Sequence, residues 1–141
     1  MEVFILIFIF IIGTLLGSFY NVVGYRLPKG QSIVFPPSHC PNCNHRLGAS
    51  ELIPILSFIF LKGKCKHCRQ KISAFYPVFE FLTGLLFVIS YIIFGPTKEF
   101  LLAITFVSLL IIIVVSDYEF MIIEDSVLIF LAFFFLPKSG G

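Results

Sequence analysis

The sequence predicts an all-α integral membrane protein with about four transmembrane helices. Three observations carry that reading. The chain of 141 residues is 58% hydrophobic and only 13% charged, where soluble domains carry about 25% charged residues. Its apolar residues fall into runs long enough to cross about 30 Å of hydrocarbon. Its cations are gathered between two of those runs: eight of the ten Lys and Arg residues lie in 26–71, with Glu51 the only acid among them.

The first span is residues 1–23, apolar with one acid at Glu2, and with Ser18 and Asn21 near its inner boundary. It lacks a basic leader and a small-x-small cleavage site, so it reads as a retained helix and not a signal peptide. Within it, "GTLLG" places Gly13 and Gly17 four apart, a spacing that lets two membrane helices approach closely. Residues 24–76 form the basic loop. A basic patch can also bind nucleic acid, but cations flanked by apolar runs follow the positive-inside rule. The loop is therefore expected in the cytoplasm, the N-terminus outside, and no nucleic acid is expected as a partner. Residues 77–141 hold the remaining spans: 77–94, then the turn "GPTKE", then 100–115, then a short apolar run at 127–136 that begins a fourth. The closing "PKSGG" reads as a truncation.

The loop of roughly fifty residues is too small for a core of its own and calls for a staple. Cys40-x2-Cys43 and Cys65-x2-Cys68 are separated by 21 residues. Two such pairs suit a tetrahedral zinc ion, and four thiolates close its shell. Lys64, Lys66 and Arg69 are expected to lower the thiol pKa values. Disulfides are the alternative, disfavoured in a reducing compartment, and a redox dithiol is a third reading. His39, His45 and His67 flank the cysteines and could replace a ligand, although four cysteines suffice. The fold class thus reads as membrane helices with a zinc-knuckle cytoplasmic loop between helices 1 and 2.

Two acids stand in or beside apolar runs. Asp117 ends a stretch of about sixteen uncharged residues. A carboxylate within a span costs about 2.5–3.5 kcal/mol, less near the interface, so it is either a functional group facing a wet cavity or a solvated helix end. Glu124 and Asp125 share its face if the helix continues. Glu80 either pairs with a basic loop residue, lines the same cavity as Asp117, or is an interfacial acid.

Four motifs in order resemble the type IV prepilin peptidases, which combine leader peptidase and N-methyltransferase activities. They are "GSFYNVVGYRLP" (17–28), "PPSHCPNC" (36–43), "ELIPILSFIFLKGKCKHCRQKIS" (51–73) with "YPVFE" (76–80), and "DYEFMIIED" (117–125). The resemblance implies a GxGD-type intramembrane aspartyl protease of the bacterial inner membrane, with Asp117 as the first of two catalytic aspartates. The second belongs to a Gly-x-Gly-Asp motif that these residues lack, and the family's layout needs further helices. The chain is thus expected to be an N-terminal part, inactive alone. The implied substrates are prepilins or pseudopilins, whose basic leader Glu119, Glu124 and Asp125 could attract, and the implied methyl donor is S-adenosylmethionine, for which no glycine-rich loop is present. The fourth motif reads Ile-Glu-Asp where Ile-Pro-Asp is usual, and Phe75 stands where Arg is frequent. The contrasting class is a non-enzymatic membrane protein whose zinc-bound loop docks an ATPase or anionic lipid.

Overall fold

The computed structural model describes residues 1–120 and Ile129. Three long helices make the body: α1 (Glu2–Arg26), α3 (Phe75–Phe94) and α4 (Lys98–Phe120). A five-residue helix, α2 (Leu56–Phe60), and two single 3-10 turns lie in the connection between α1 and α3. All three long helices are long and apolar enough to cross a membrane. At 1.5 Å per residue, α3 alone is about 30 Å long, the thickness of the hydrocarbon layer. The described residues contain no strand, only isolated bridges His39–Arg46 and Lys64–Lys71. Apart from Ile129, the expected fourth run at 127–136 lies outside the described residues, as do Glu124 and Asp125.

The ends of the helices follow local chemistry. The first span was expected to stop at Val23, but α1 runs on to Arg26, whose charge suits the negative end of the helix dipole. Pro28 and a left-handed Gly30 (φ 65°) then stop it. At the start of α3, Ser73 Oγ accepts the Phe75 N–H, and Pro77 falls in the first turn, where a missing N–H costs nothing. Gly95 at φ 61° ends α3, and α4 begins three residues later.

A small apolar cluster of Tyr20, Ile111 and Val115 lies between the helices, but the inward face of α1 is mostly small and polar and its outward face apolar. The buried face of α1 is Gly13, Thr14, Gly17, Tyr20, Asn21 and Gly24, while Phe4, Phe8, Ile11, Leu15 and Phe19 point outward. That inversion is tolerable only where the surroundings are themselves apolar. In lipid there is little hydrophobic drive to associate, so close contact between small residues does the work. A Cβ on Gly13 would stand 2.7 Å from the Gly84 Cα of α3. One on Gly17 would stand 3.0 Å from the Glu80 Cα, and one on Gly24 would stand 2.6 Å from Val115 of α4. The spacing of Gly13 and Gly17 thus does what its pattern predicts, against α3. Hydroxyls in the bundle are satisfied locally: Thr83 donates to the Phe79 carbonyl at 2.7 Å and Ser90 to that of Leu86 at 2.8 Å. Tyr20 crosses to α4, donating to Ser108 Oγ at 2.7 Å. Asn21 crosses to α3, donating to the Tyr76 carbonyl at 3.1 Å.

In an isolated helix, Gly→Ala stabilises by about 0.5–1 kcal/mol. Gly13→Ala should instead destabilise this bundle by about 1–3 kcal/mol, because its Cβ meets backbone that cannot yield. The outward-facing Leu15→Ala should change stability by less than about 0.5 kcal/mol. Thermal unfolding of both variants in detergent checks this; equal transitions would refute the contact.

Candidate functional site

The two cysteine pairs are built alike. In each, the first cysteine's N–H donates to a carbonyl five residues on: Cys40 to His45 and Cys65 to Gln70, both at 2.9 Å. In each, the N–H four residues on returns to the first cysteine's carbonyl: Asn44 to Cys40 and Arg69 to Cys65. Asn44 (φ 55°) and Arg69 (φ 57°) both take the left-handed conformation that turns the chain. The bonds from Leu47 to Ser38 and from Ile72 to Gly63 close each unit. Every element of the first unit recurs 25 positions later, so the loop holds two copies of one knuckle facing each other.

The four Sγ atoms lie within 4.8 Å of one another. Cys40 and Cys68 are 3.7 Å apart, Cys43 and Cys65 3.9 Å. A tetrahedral shell with metal–sulfur bonds of about 2.3 Å has edges of about 3.8 Å, whereas a disulfide needs about 2.05 Å. All four thiols are free, and they are close enough to bind one metal ion. Neither Asp117 nor any histidine belongs to this cluster. His39 Nδ1 meets the Pro37 carbonyl at 3.1 Å, and His45 stacks on His67 with centroids 3.7 Å apart. His45 Nε2 also reaches Glu51 Oε2 at 3.2 Å. The Gly48 N–H donates to that same oxygen at 2.8 Å. It is the chief reason that the Glu51 carboxyl is held below its ordinary range, with His45 assisting.

The expected effect of Lys64, Lys66 and Arg69 on the thiols is replaced by a more local one. The Asn42 side-chain amide, reaching across from the other knuckle, and the Gln70 N–H bring Cys68 down to about 6. The N–H groups of Cys43 and Asn42 lower Cys40. The His45 N–H acts to lower Cys43, but desolvation and the three neighbouring thiols outweigh it and push that thiol up to about 11. The Asn42 amide and peptide N–H groups aimed at sulfur, with desolvation and the neighbouring thiols opposing them, tune these cysteines.

The loop is tied to the bundle at Glu80. This acid is buried on α3, and its Oε2 accepts the Ile55 N–H at 2.8 Å. Its partners are thus the Ile55 peptide group and the Ser18 side chain, not the basic loop residue that was one of the three readings of the sequence. Ile55 pays for the arrangement in backbone strain: it is a β-branched residue at φ 63°, ψ −53°, with the Leu56 N–H returning to the Pro54 carbonyl. That is a γ-turn of the rare, positive-φ kind.

Asp117 is exposed, near the end of α4. Gly24 against Val115 shows that this end of α4 adjoins the end of α1 from which the loop departs. Next to Asp117, Tyr118 stacks on Phe75 with centroids 4.1 Å apart at 15°, and Phe75 in turn meets Phe79 at 4.4 Å. The position where Arg is frequent therefore carries an aromatic bridge from α3 to the segment beside Asp117. No periodicity in the sequence marked Phe75 and Tyr118 as partners.

The profile of the bacterial Peptidase A24 N-terminal domain matches residues 11–94. The chain belongs to that family. Among relatives of this A24 N-terminal domain, the prepilin leader peptidase/N-methyltransferase of Bacillus subtilis is 50% identical over 129 residues, 92% of this chain and 50% of its own length. The protein of the same name from Myxococcus xanthus is 44% identical, over 85% of this chain and 36% of its own. That of Klebsiella pneumoniae is 38% identical, over 84% and 54%. The chain spans about half the length, or less, of these relatives. No solved structure gives a significant match.

A metal ion held by all four sulfurs of the A24 knuckles would take them as thiolates. The Cys43 thiol near 11 keeps its proton at pH 7, while Cys68 near 6 has largely lost its own. Binding at pH 7 should therefore release about one proton or more per metal, and affinity should rise with pH toward 11. Calorimetry in buffers of different ionisation enthalpy measures the release; none at pH 7 would contradict the assignment.

Proposed function

We propose that the chain is the N-terminal part of a membrane aspartyl peptidase. It cleaves the leader of type IV prepilin-like proteins at the cytoplasmic membrane face and then methylates the new N-terminus. The observation that carries this reading is the 50% identity to the Bacillus subtilis prepilin leader peptidase/N-methyltransferase over 92% of the chain. The four motifs of that family, in order along the chain, support it further. The gathering of eight cations in the connecting loop supports a cytoplasmic loop and an inner-membrane protein.

In this reading Asp117 is one of two catalytic aspartates. The other comes from a Gly-x-Gly-Asp segment that these 141 residues do not contain. One carboxylate draws a proton from water as it attacks the scissile carbonyl, and the other protonates the leaving amide. Two carboxylates held close share one proton, since ionising both is costly. An exposed Asp117 at a helix end by the membrane rim suits a scissile bond between a basic leader and an apolar helix. Phe75 and Tyr118 hold the neighbouring backbone and so position Asp117.

Cys40, Cys43, Cys65 and Cys68 would hold zinc, and the fit of their sulfur separations to a tetrahedral shell supports that metal. With four thiolates the shell has no place for substrate or water, so the ion would shape the loop. S-adenosylmethionine is the methyl donor that the reading implies, and no residue here is assigned to it.

In the full-length enzyme, Asp117→Ala should reduce leader cleavage by at least about 10³-fold with zinc content unchanged. Cys43→Ser should lower the zinc content itself. A prepilin cleavage assay with elemental analysis separates the two. Near-normal cleavage by Asp117→Ala would remove this residue from the chemistry.

A further inference from the structure

Helix α2 presents an apolar face that nothing among the described residues covers. Leu56, Ile59 and Phe60 stand at positions i, i+3 and i+4, which is one side of a helix. They are 50%, 61% and 79% exposed. The height of this helix is fixed by the bond between Ile55 N–H and Glu80. Glu80 lies five residues, about 7.5 Å, along α3 from its first residue. If the roughly 30 Å of α3 fills the hydrocarbon layer, Ile55 sits below the membrane rim. There its N–H finds no water and needs a protein partner, which the Glu80 carboxylate provides.

Charge follows directly. Lys62, Lys64, Lys66 and Arg69 succeed α2 in the chain, and with Phe60 and Cys65 they line one open cleft of about 420 Å³. An apolar face beside a cluster of cations is the pattern of a segment lying in a membrane interface, its apolar side chains among acyl chains and its cations at phosphates. A lipid surface satisfies both halves together. A soluble acidic protein would leave Leu56, Ile59 and Phe60 without a counterpart.

We infer that α2 is an interfacial anchor: its Leu56–Ile59–Phe60 face enters the acyl layer, and the cleft at Lys62, Lys64, Lys66 and Arg69 takes the headgroup of an anionic phospholipid. This rests on the membrane-spanning reading of α3 and is independent of the peptidase reading.

The chain contains no tryptophan, so Phe60→Trp introduces a single fluorescent probe. The 141-residue protein carrying it is reconstituted into vesicles of equal phosphatidylglycerol and phosphatidylcholine, with one lipid or the other brominated near the top of its chains. Quenching is expected from either brominated lipid, with shielding from aqueous iodide. It should be stronger when phosphatidylglycerol carries the bromine. That preference should fall by about 5-fold for each of Lys62→Gln, Lys64→Gln and Lys66→Gln. Quenching by iodide but not by bromine would overturn the proposal. So would a probe shielded from both, which would mean that protein covers the face, and so would equal quenching by the two lipids. Ile59→Trp, on the same face, replaces the probe if Phe60→Trp does not fold.

Discussion

A single hydrogen bond, from the Ile55 peptide N–H to the Glu80 carboxylate, fixes where the extramembrane loop meets the bundle. It matters because of where it is made. If α3 fills the hydrocarbon layer, Ile55 lies below its rim, where a peptide group without a partner costs several kcal/mol and the loop can approach only where an acceptor waits. Glu80 waits there because α3 is pressed against α1: Gly17 offers no side chain, and its backbone lies directly against the Glu80 Cα. A larger residue at Gly17 would move the carboxylate away from Ile55. The strained turn at Ile55 persists because that bond and the Leu56 return bond over-determine it. Glycine contact, carboxylate and γ-turn thus form one chain of dependence.

The rest of the loop depends on that tie. It leaves α1 at Arg26, whose guanidinium donates to the Ser32 carbonyl at 3.2 Å, and rejoins the bundle at Phe75. Between these points the two knuckles are held by local backbone hydrogen bonds and by the meeting of four sulfurs. A metal ion would close the thiolate cluster, Glu80 anchors its base, and the Phe75–Tyr118 stack carries the result to the segment that bears Asp117. In the proposed enzyme, structural chemistry at the cysteines and proteolytic chemistry at Asp117 would be separate and joined through α3.

Much of this was legible in the sequence. Composition and the lengths of the apolar runs announced membrane helices. Gly13 and Gly17 announced a close helix contact, and the spacing of the cysteines announced their meeting, since each pattern acts locally or through a fixed ligand geometry. Glu80 was visible as an acid in a span but not as the acceptor for Ile55, because that partnership depends on the depth at which α1 and α3 cross. The thiol environment was misread for a similar reason: charge in the sequence pointed to lysines, while the folded turns aim N–H groups at sulfur. The duplication of the knuckle was hidden too, since its 25-residue offset preserves backbone hydrogen bonds and little besides the cysteines. The pairing of Phe75 with Tyr118 spans 43 positions and left no periodic trace.

The most direct test of this dependence is amide hydrogen exchange at Ile55, followed by NMR of isoleucine-labelled protein in a membrane mimetic. A bonded N–H within the span should exchange at least about 10²-fold more slowly than an open loop amide, and Glu80→Gln, which weakens the acceptor, should speed it while leaving Ile111 of α4 unchanged. Free exchange at Ile55 in the unaltered protein, or protection indifferent to Glu80→Gln, would contradict the account.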